Sequence, residues 1–359
     1  RSSDNAEQNI GFLNNELDTA TLETFVKSGN VFANPDITSA SSWTIGNSTT
    51  YNAATEAFDL SSENGLTVRQ GKSVANHTYT ITIVLGSVTS GGIKIYAGGT
   101  QSAVISTAGT HTLNITAGSS NDILGINPNG TATCSISSFY AVDTTADGFV
   151  AIWYDQSGSA NNVVQATAAN QPPIVSSGST ILKNGKPSLS FTEHELQKDI
   201  VSVNGNAYSF FGVADTTGSS PRALFRNRGL GAFGSLEGAA FLEFTTGDSI
   251  INTFMDDGQG NAIVAGSESV ADGYHLISTH YTLSAASLYI DTAQQGSSSI
   301  GSGSTPLIGP VDLPYLNIGG ERYNRPWKDA IQEIVLYNND QLSNRSGIET
   351  NINDHYSIY

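Results

Sequence analysis

The sequence carries one cysteine, Cys134, so no disulfide can form within the chain and a fold stapled by crosslinks is excluded. Stability has to come from a core large enough to do without them. Methionine also occurs once, at Met255, and the residues that fill long helices are sparse. Only 13% of residues are charged, and 32 Asp and Glu against 15 Lys and Arg leave a net charge of −17. No stretch supplies the basic patch that nucleic acid requires, and an anionic membrane surface is disfavoured for the same reason. No apolar run reaches the ~20 residues of a membrane-spanning helix, so no membrane insertion is expected. There is no signal peptide and no initiator Met. The chain opens on Arg1-Ser2-Ser3-Asp4, in structured-looking sequence, and reads as the C-terminal portion of something longer. A strongly acidic surface of low charge density suits salty surroundings, where self-repulsion is screened.

What is abundant is Gly, Ser, Thr and Asn, with runs of Val, Ile, Thr, Tyr and Phe between them. That is the texture of many short strands joined by turns. Thr78 to Leu85, Gly92 to Tyr96 and His111 to Ile115 alternate as half-buried strands do. Turn signals include Gly98-Gly99, Asn129-Gly130, Asn184-Gly185 and Asp272-Gly273. Two helices are expected: Asp18 to Lys27, with Leu22, Phe25 and Val26 on one face, and Ser343 to Tyr356, with Ile348, Ile352 and Tyr356 four apart. Asn47, Asn76, Asn114, Asn129 and Asn344 head Asn-x-Ser/Thr sequons, which chance explains in so polar a chain. From Val31 to about Asp143, strands recur every 8–12 positions over about 110 residues, the size of a small jelly roll. Gly148 to Tyr154 then reads as a strand too apolar for an edge.

Tyr154-Asp155-Gln156-Ser157-Gly158, followed by Asn161-Asn162, Gln165, Ala168-Ala169-Asn170-Gln171-Pro172 and Asn184-Gly185-Lys186-Pro187, resembles a group of concanavalin-A-like (laminin-G-like) domains. Arg1 to Phe12 and the closing Asn344 to Asn353 are similar to the same group. These domains occur in phage tail and virion-surface proteins. The resemblance implies an all-β concanavalin-A-like sandwich from residues 1–30 and 144–359. Residues 31–143 are then an inserted domain, itself similar to carbohydrate-binding-module jelly rolls. It further implies a virion-surface, extracellular setting. The implied partners are a host-surface glycan, other virion proteins and further copies of the chain, a trimer by analogy with tail fibres.

The same signature is similar to the catalytic domain of fungal arabinofuranosidase B enzymes, which makes a glycoside hydrolase the alternative. A retaining hydrolase needs two carboxylates about 5 Å apart. The enzymes' acid/base, an Asp after Gly-Gly, corresponds to Glu321 in Gly319-Gly320-Glu321-Arg322, and the nearest analogue of their nucleophile is Glu237. The enzymes' adjacent paired cysteines have no counterpart here. A bland reading stands beside this one: Glu321 pairs with Arg322 or Arg325, and Glu237 is a solvated strand residue. A third reading is a structural virion decoration protein without a sugar site.

No cofactor is implied. The six His residues lack metal-ligand spacing. Asp256 to Asn261 sets oxygen ligands close together, so Ca²⁺ is conceivable, but the closing acidic residue is missing and a hairpin turn is favoured. Sugar binding asks for less: an aromatic face to stack on and polar groups to fix hydroxyls. Tyr315, Arg322, Tyr323, Asn324, Arg325 and Trp327 crowd one loop between strands, and Trp43 and Tyr51 lie in the polar start of the insert. Trp43 also reads as a core anchor, since Trp is usually well buried. Trp327 reads equally as ligand or core. Arg222, Arg226 and Arg228 line the same face or pair with nearby acids.

Overall fold

The computed structural model describes residues 1–2, 5–192, 194–204, 207–217, 222–227, 240–244, 250–254, 263–265, 270–282, 284–299, 310–319 and 327–359. The chain is all-β, with two α-helices among the described residues. It divides into two compact units, Arg1–Gly148 with Val175–Thr180, and Phe149–Ile174 with Ile181–Tyr359.

The first unit is built on eight strands: Ala57–Glu63, Thr67–Gly71, Thr78–Leu85, Ile93–Ala97, Thr100–Gln101, Gly109–Thr116, Ile123–Pro128 and Ala132–Asp143. One sheet orders the first, eighth, third and sixth side by side; the other orders the second, seventh, fourth and fifth. That is the strand order of a jelly roll. A further strand, Thr49–Asn52, extends the first sheet beside Ala57–Glu63. Alternation fills the space between the sheets. Thr78–Leu85 turns Tyr79, Ile81, Ile83 and Leu85 inward, and Ile93–Ala97 meets them with Ile93, Ile95 and Ala97. Each Ile or Leu among them, taken fully out of water, contributes about 1.5–3 kcal/mol. The outward row Thr78, Thr80 and Thr82 hydrogen-bonds Thr116, Asn114 and Thr112 on the next strand. Cys134 lies in this core with its thiol pushed up to about 11 by burial.

Helix α1 (Thr19–Lys27) begins at Asp18, whose carboxylate accepts the Thr21 N–H at 3.0 Å, and it buries Leu22 and Val26. Helix α1 lies within the first unit. The reason is local: the Thr180 N–H and hydroxyl donate to Glu23 on α1, and Gly148 is packed directly against Val26.

Among the described residues, the second unit is a sandwich of an eight-stranded and a six-stranded antiparallel sheet. Leu196, Leu224, Leu316 and Ile318 from the larger sheet pack with Phe210, Ile277, Leu288 and Ile331 from the smaller. The central strand of the smaller sheet, Ala207–Asp215, shows no alternation because both of its faces are covered. One faces the sandwich core. On the other, Phe211 and Val213 meet Ile352 and Tyr356 of helix α2 (Arg345–Tyr356). A tight hairpin, Leu182–Lys183 with Lys186–Pro187, turns at Asn184-Gly185 as its sequence predicts, with φ of 47° and 73°.

Candidate functional site

The loop singled out in the sequence joins Pro310–Ile318, in the eight-stranded sheet, to Ala330–Tyr337, in the six-stranded sheet. It therefore crosses from one sheet to the other at one end of this sandwich. Both of its ends are tied to the core. The Gly319 N–H donates to Leu224 O at 3.2 Å, the Trp327 N–H donates to Gly319 O at 2.6 Å, and the Phe191 N–H donates to Asp329 O at 3.1 Å. Gly319 holds φ of 76°, with the Phe191 ring pressed where a Cβ would stand. Only glycine fits there.

At the foot of this loop stands an ion triad. Lys183, on the hairpin, places Nζ 2.7 Å from Asp215 Oδ2 and 3.5 Å from Asp329 Oδ1. Asp215 closes the central strand Ala207–Asp215, and its other oxygen accepts the Thr217 N–H at 2.9 Å. Burial works to raise the Asp215 carboxyl, but the Lys183 ammonium and Thr217 outweigh it and hold it below the usual range. Asp329 moves the other way, because burial and the neighbouring Asp215 charge together exceed the help it receives from Lys183. The Lys183 ammonium is held above its ordinary value, chiefly by its hydrogen bond to Asp215. Asp215 is 5% exposed, whereas the side chains of Lys183 and Asp329 are 38% and 28% exposed. One donor and one acceptor of the triad thus face solvent.

Gln332 fixes the hairpin that carries Lys183. Its amide nitrogen donates to Lys183 O, Lys186 O and Pro187 O at 3.0, 2.8 and 3.1 Å. The triad was not visible in the sequence, because residues 183, 215 and 329 share no short spacing. The one available signal was Asn184-Gly185, which fixes a turn directly after Lys183.

Trp327, proposed for stacking, is completely buried in the sandwich core, and its backbone N–H is tied to Gly319 O. Trp43 is 8% exposed and stacks on Phe139, with its indole N–H donating to Asn34 O, which answers to the core-anchor reading. Neither indole offers a face to a sugar. Tyr51 is half-buried against Phe58, and its hydroxyl donates to Thr38 O at 2.6 Å. Tyr315 is placed only by register, opposite Asp199. Arg222 and Arg226 are likewise placed only on Arg222–Asn227. Glu237, Glu321, Arg322, Tyr323, Asn324, Arg325, Arg228 and the Asp256 to Asn261 segment lie outside the described residues.

No family model and no curated protein matches the sequence. Solved structures similar to it include a GH54 a-L-arabinofuranosidase soaked with a cyclic sulfate inhibitor, with a TM-score of 0.44 and 15% identity over 79% of this chain and 63% of that one. This chain thus spans less than two thirds of that structure's length. Trypanosoma rangeli sialidase in complex with the inhibitor DANA gives 0.33 and 13%, over 62% and 40% of the two chains. The binding domain of botulinum neurotoxin DC in complex with SialylT gives 0.29 and 5%, over 60% and 48%.

Proposed function

We propose that this chain is a carbohydrate-contacting β-sandwich module, and that the foot of the 319–329 connection is where a sugar is met. The observation that carries the reading is the Lys183–Asp215–Asp329 triad. It sets a charged donor and a charged acceptor side by side at a partly exposed rim, on a hairpin and two strand ends that the core holds rigid. Charge-assisted hydrogen bonds of this kind fix sugar hydroxyls, and rigid support limits the entropy lost on binding. The sequence resemblance supports a setting on the surface of a phage-type virion, with a host glycan as partner. Weak single sites would there be multiplied in an oligomer, a trimer by the tail-fibre analogy.

A hydrolytic reading has its own support, since Asp215 and Asp329 flank one ammonium with their carboxyls pushed in opposite directions. Paired carboxyls separated in this way divide into acid and base. One experiment tests both readings. Glycan-array binding is measured for the wild type beside Asp329→Asn and Lys183→Ala, with released sugar followed in the same wells. Binding without release, weakened about tenfold or more in both variants, is the expected result. Binding that both variants retain removes the site from the triad, release of sugar puts the hydrolase first, and silence in both channels overturns the carbohydrate reading.

A further inference from the structure

Beneath the start of α2 lies a buried polar layer that the proposed sugar site does not use. His280 sits on the outer face of the six-stranded sheet and is 2% exposed. Its Nδ1 lies 2.9 Å from the Ser209 hydroxyl, and that oxygen also accepts the Gln341 N–H at 2.8 Å. Ser209 and the imidazole thus share one buried hydrogen bond, whose direction follows the ring tautomer. Among the described residues Nε2 has no hydrogen-bond partner. Phe211 and Tyr289 meet the imidazole edge-on, with centroids 5.4 and 5.8 Å away.

The charged surroundings are of mixed sign. Asp340 faces His280 from the segment before α2, and Arg345 faces it from the first turn, with its guanidinium over the Tyr289 ring at 3.8 Å. Arg345 is paired with Glu349, which is 1% exposed and also accepts the Ser278 hydroxyl at 2.6 Å. Asp291 and Tyr359 act on Glu349 from the neighbouring turn and the C-terminus. The N-terminal end of a helix carries positive potential, so a second cation there is opposed by Arg345 and by the helix itself.

We propose that His280 is an acid-sensitive latch for α2: proton uptake by its imidazole makes both ring nitrogens donors in a buried site, places a second cation under Arg345, and unseats the helix from the sheet. Detachment would uncover the apolar row Phe211, Val213 and Leu276 that α2 now covers. Burial, with Arg345 adding to it, holds the His280 imidazole down at about 4 from an ordinary 6.5. A depressed base takes up its proton more readily in the opened state, so opening is favoured as pH falls from about 6.5 towards 4 and is indifferent above that window. The gap corresponds to an opening constant raised on the order of 100-fold by pH 4. Glu349 acts in the opposite sense, since burial holds its carboxyl above the usual range and its protonation favours the closed form. A variant at His280 leaves that contribution in place.

Hydrogen exchange of the α2 amides, corrected for intrinsic rate and followed from pH 7 to 4, tests the latch. We expect the opening constant of Arg345–Tyr356 to climb on the order of 100-fold in the wild type, to stay within a few-fold in His280→Gln, and to leave the Tyr274–Thr282 strand protected. A flat wild-type profile, an equal rise in the variant, or equal opening of that strand overturns the proposal. Should His280→Gln fail to fold, the wild-type imidazole titrated by NMR decides. Protonation near 4 that tracks α2 opening sustains the latch, and protonation at the ordinary histidine value sinks it.

Discussion

Glu63 is 3% exposed and, among the described residues, no ion pair holds it; its carboxylate instead accepts from the Ser48, Asn64 and Gly65 N–H groups at 3.0, 3.1 and 3.0 Å and from the Thr49 hydroxyl at 2.9 Å. Burial would raise this carboxyl, but the Gly65, Thr49, Ser48 and Asn64 donors together outweigh it and hold it below the usual range. Replacing Glu63 by Ala strands those donors and is expected to cost about 3 kcal/mol. A depressed carboxyl stabilises above its unfolded value and loses that contribution as pH falls through its folded value. The gap in Tm between wild type and Glu63→Ala should therefore narrow on acidification, and calorimetry at a series of pH values measures it. A gap independent of pH would mean that the carboxylate's charge plays no part. Nothing in the sequence marked Glu63, because its donors come from segments 15 residues apart as well as from its own neighbours.

At the scale of elements, two glycines separate backbone strain from crowding. Gly185 and Gly319 have φ of 73° and 76°, but a Cβ at Gly185 meets nothing within 4 Å, while at Gly319 it stands 1.9 Å from Phe191. Gly185→Ala is expected to cost about 1 kcal/mol and Gly319→Ala about 3 kcal/mol, read from chemical denaturation. Equal costs would show that the Phe191 ring yields freely. The Asn184-Gly185 turn was legible because type I′ geometry demands residues that tolerate positive φ, and both helices were legible from their apolar spacing. The burial of Trp327 was not. Pro326 and Lys328 beside it carry the signature of a loop, whereas the ring packs among core residues brought in from distant strands, which no local pattern announces. The site was lost for the same reason: Lys183, Asp215 and Asp329 meet only because a hairpin and two strand ends converge.

On the scale of the whole molecule, composition foretold the class. Few helix formers and abundant Thr, Ser and Gly gave strands, and a 110-residue stretch of regular turns gave a jelly roll whose eight strands take the double Greek-key order. Strand partners were beyond reach, since pairing the first strand with the eighth depends on contacts some 75 residues apart. One consequence follows from the lone cysteine enclosed by that jelly roll. With a thiol that is 5% exposed and pushed up to about 11, Cys134 is closed to thiol reagents as long as the two sheets stay together. Its labelling by a disulfide reagent in the native state should be slower than that of a free thiol by at least about 10³-fold, and should accelerate in step with denaturant as the sheets part. Fast labelling without denaturant would reveal a breathing core. The chain thus carries, without any engineered tag, a single-atom clock for the opening of its N-terminal sandwich.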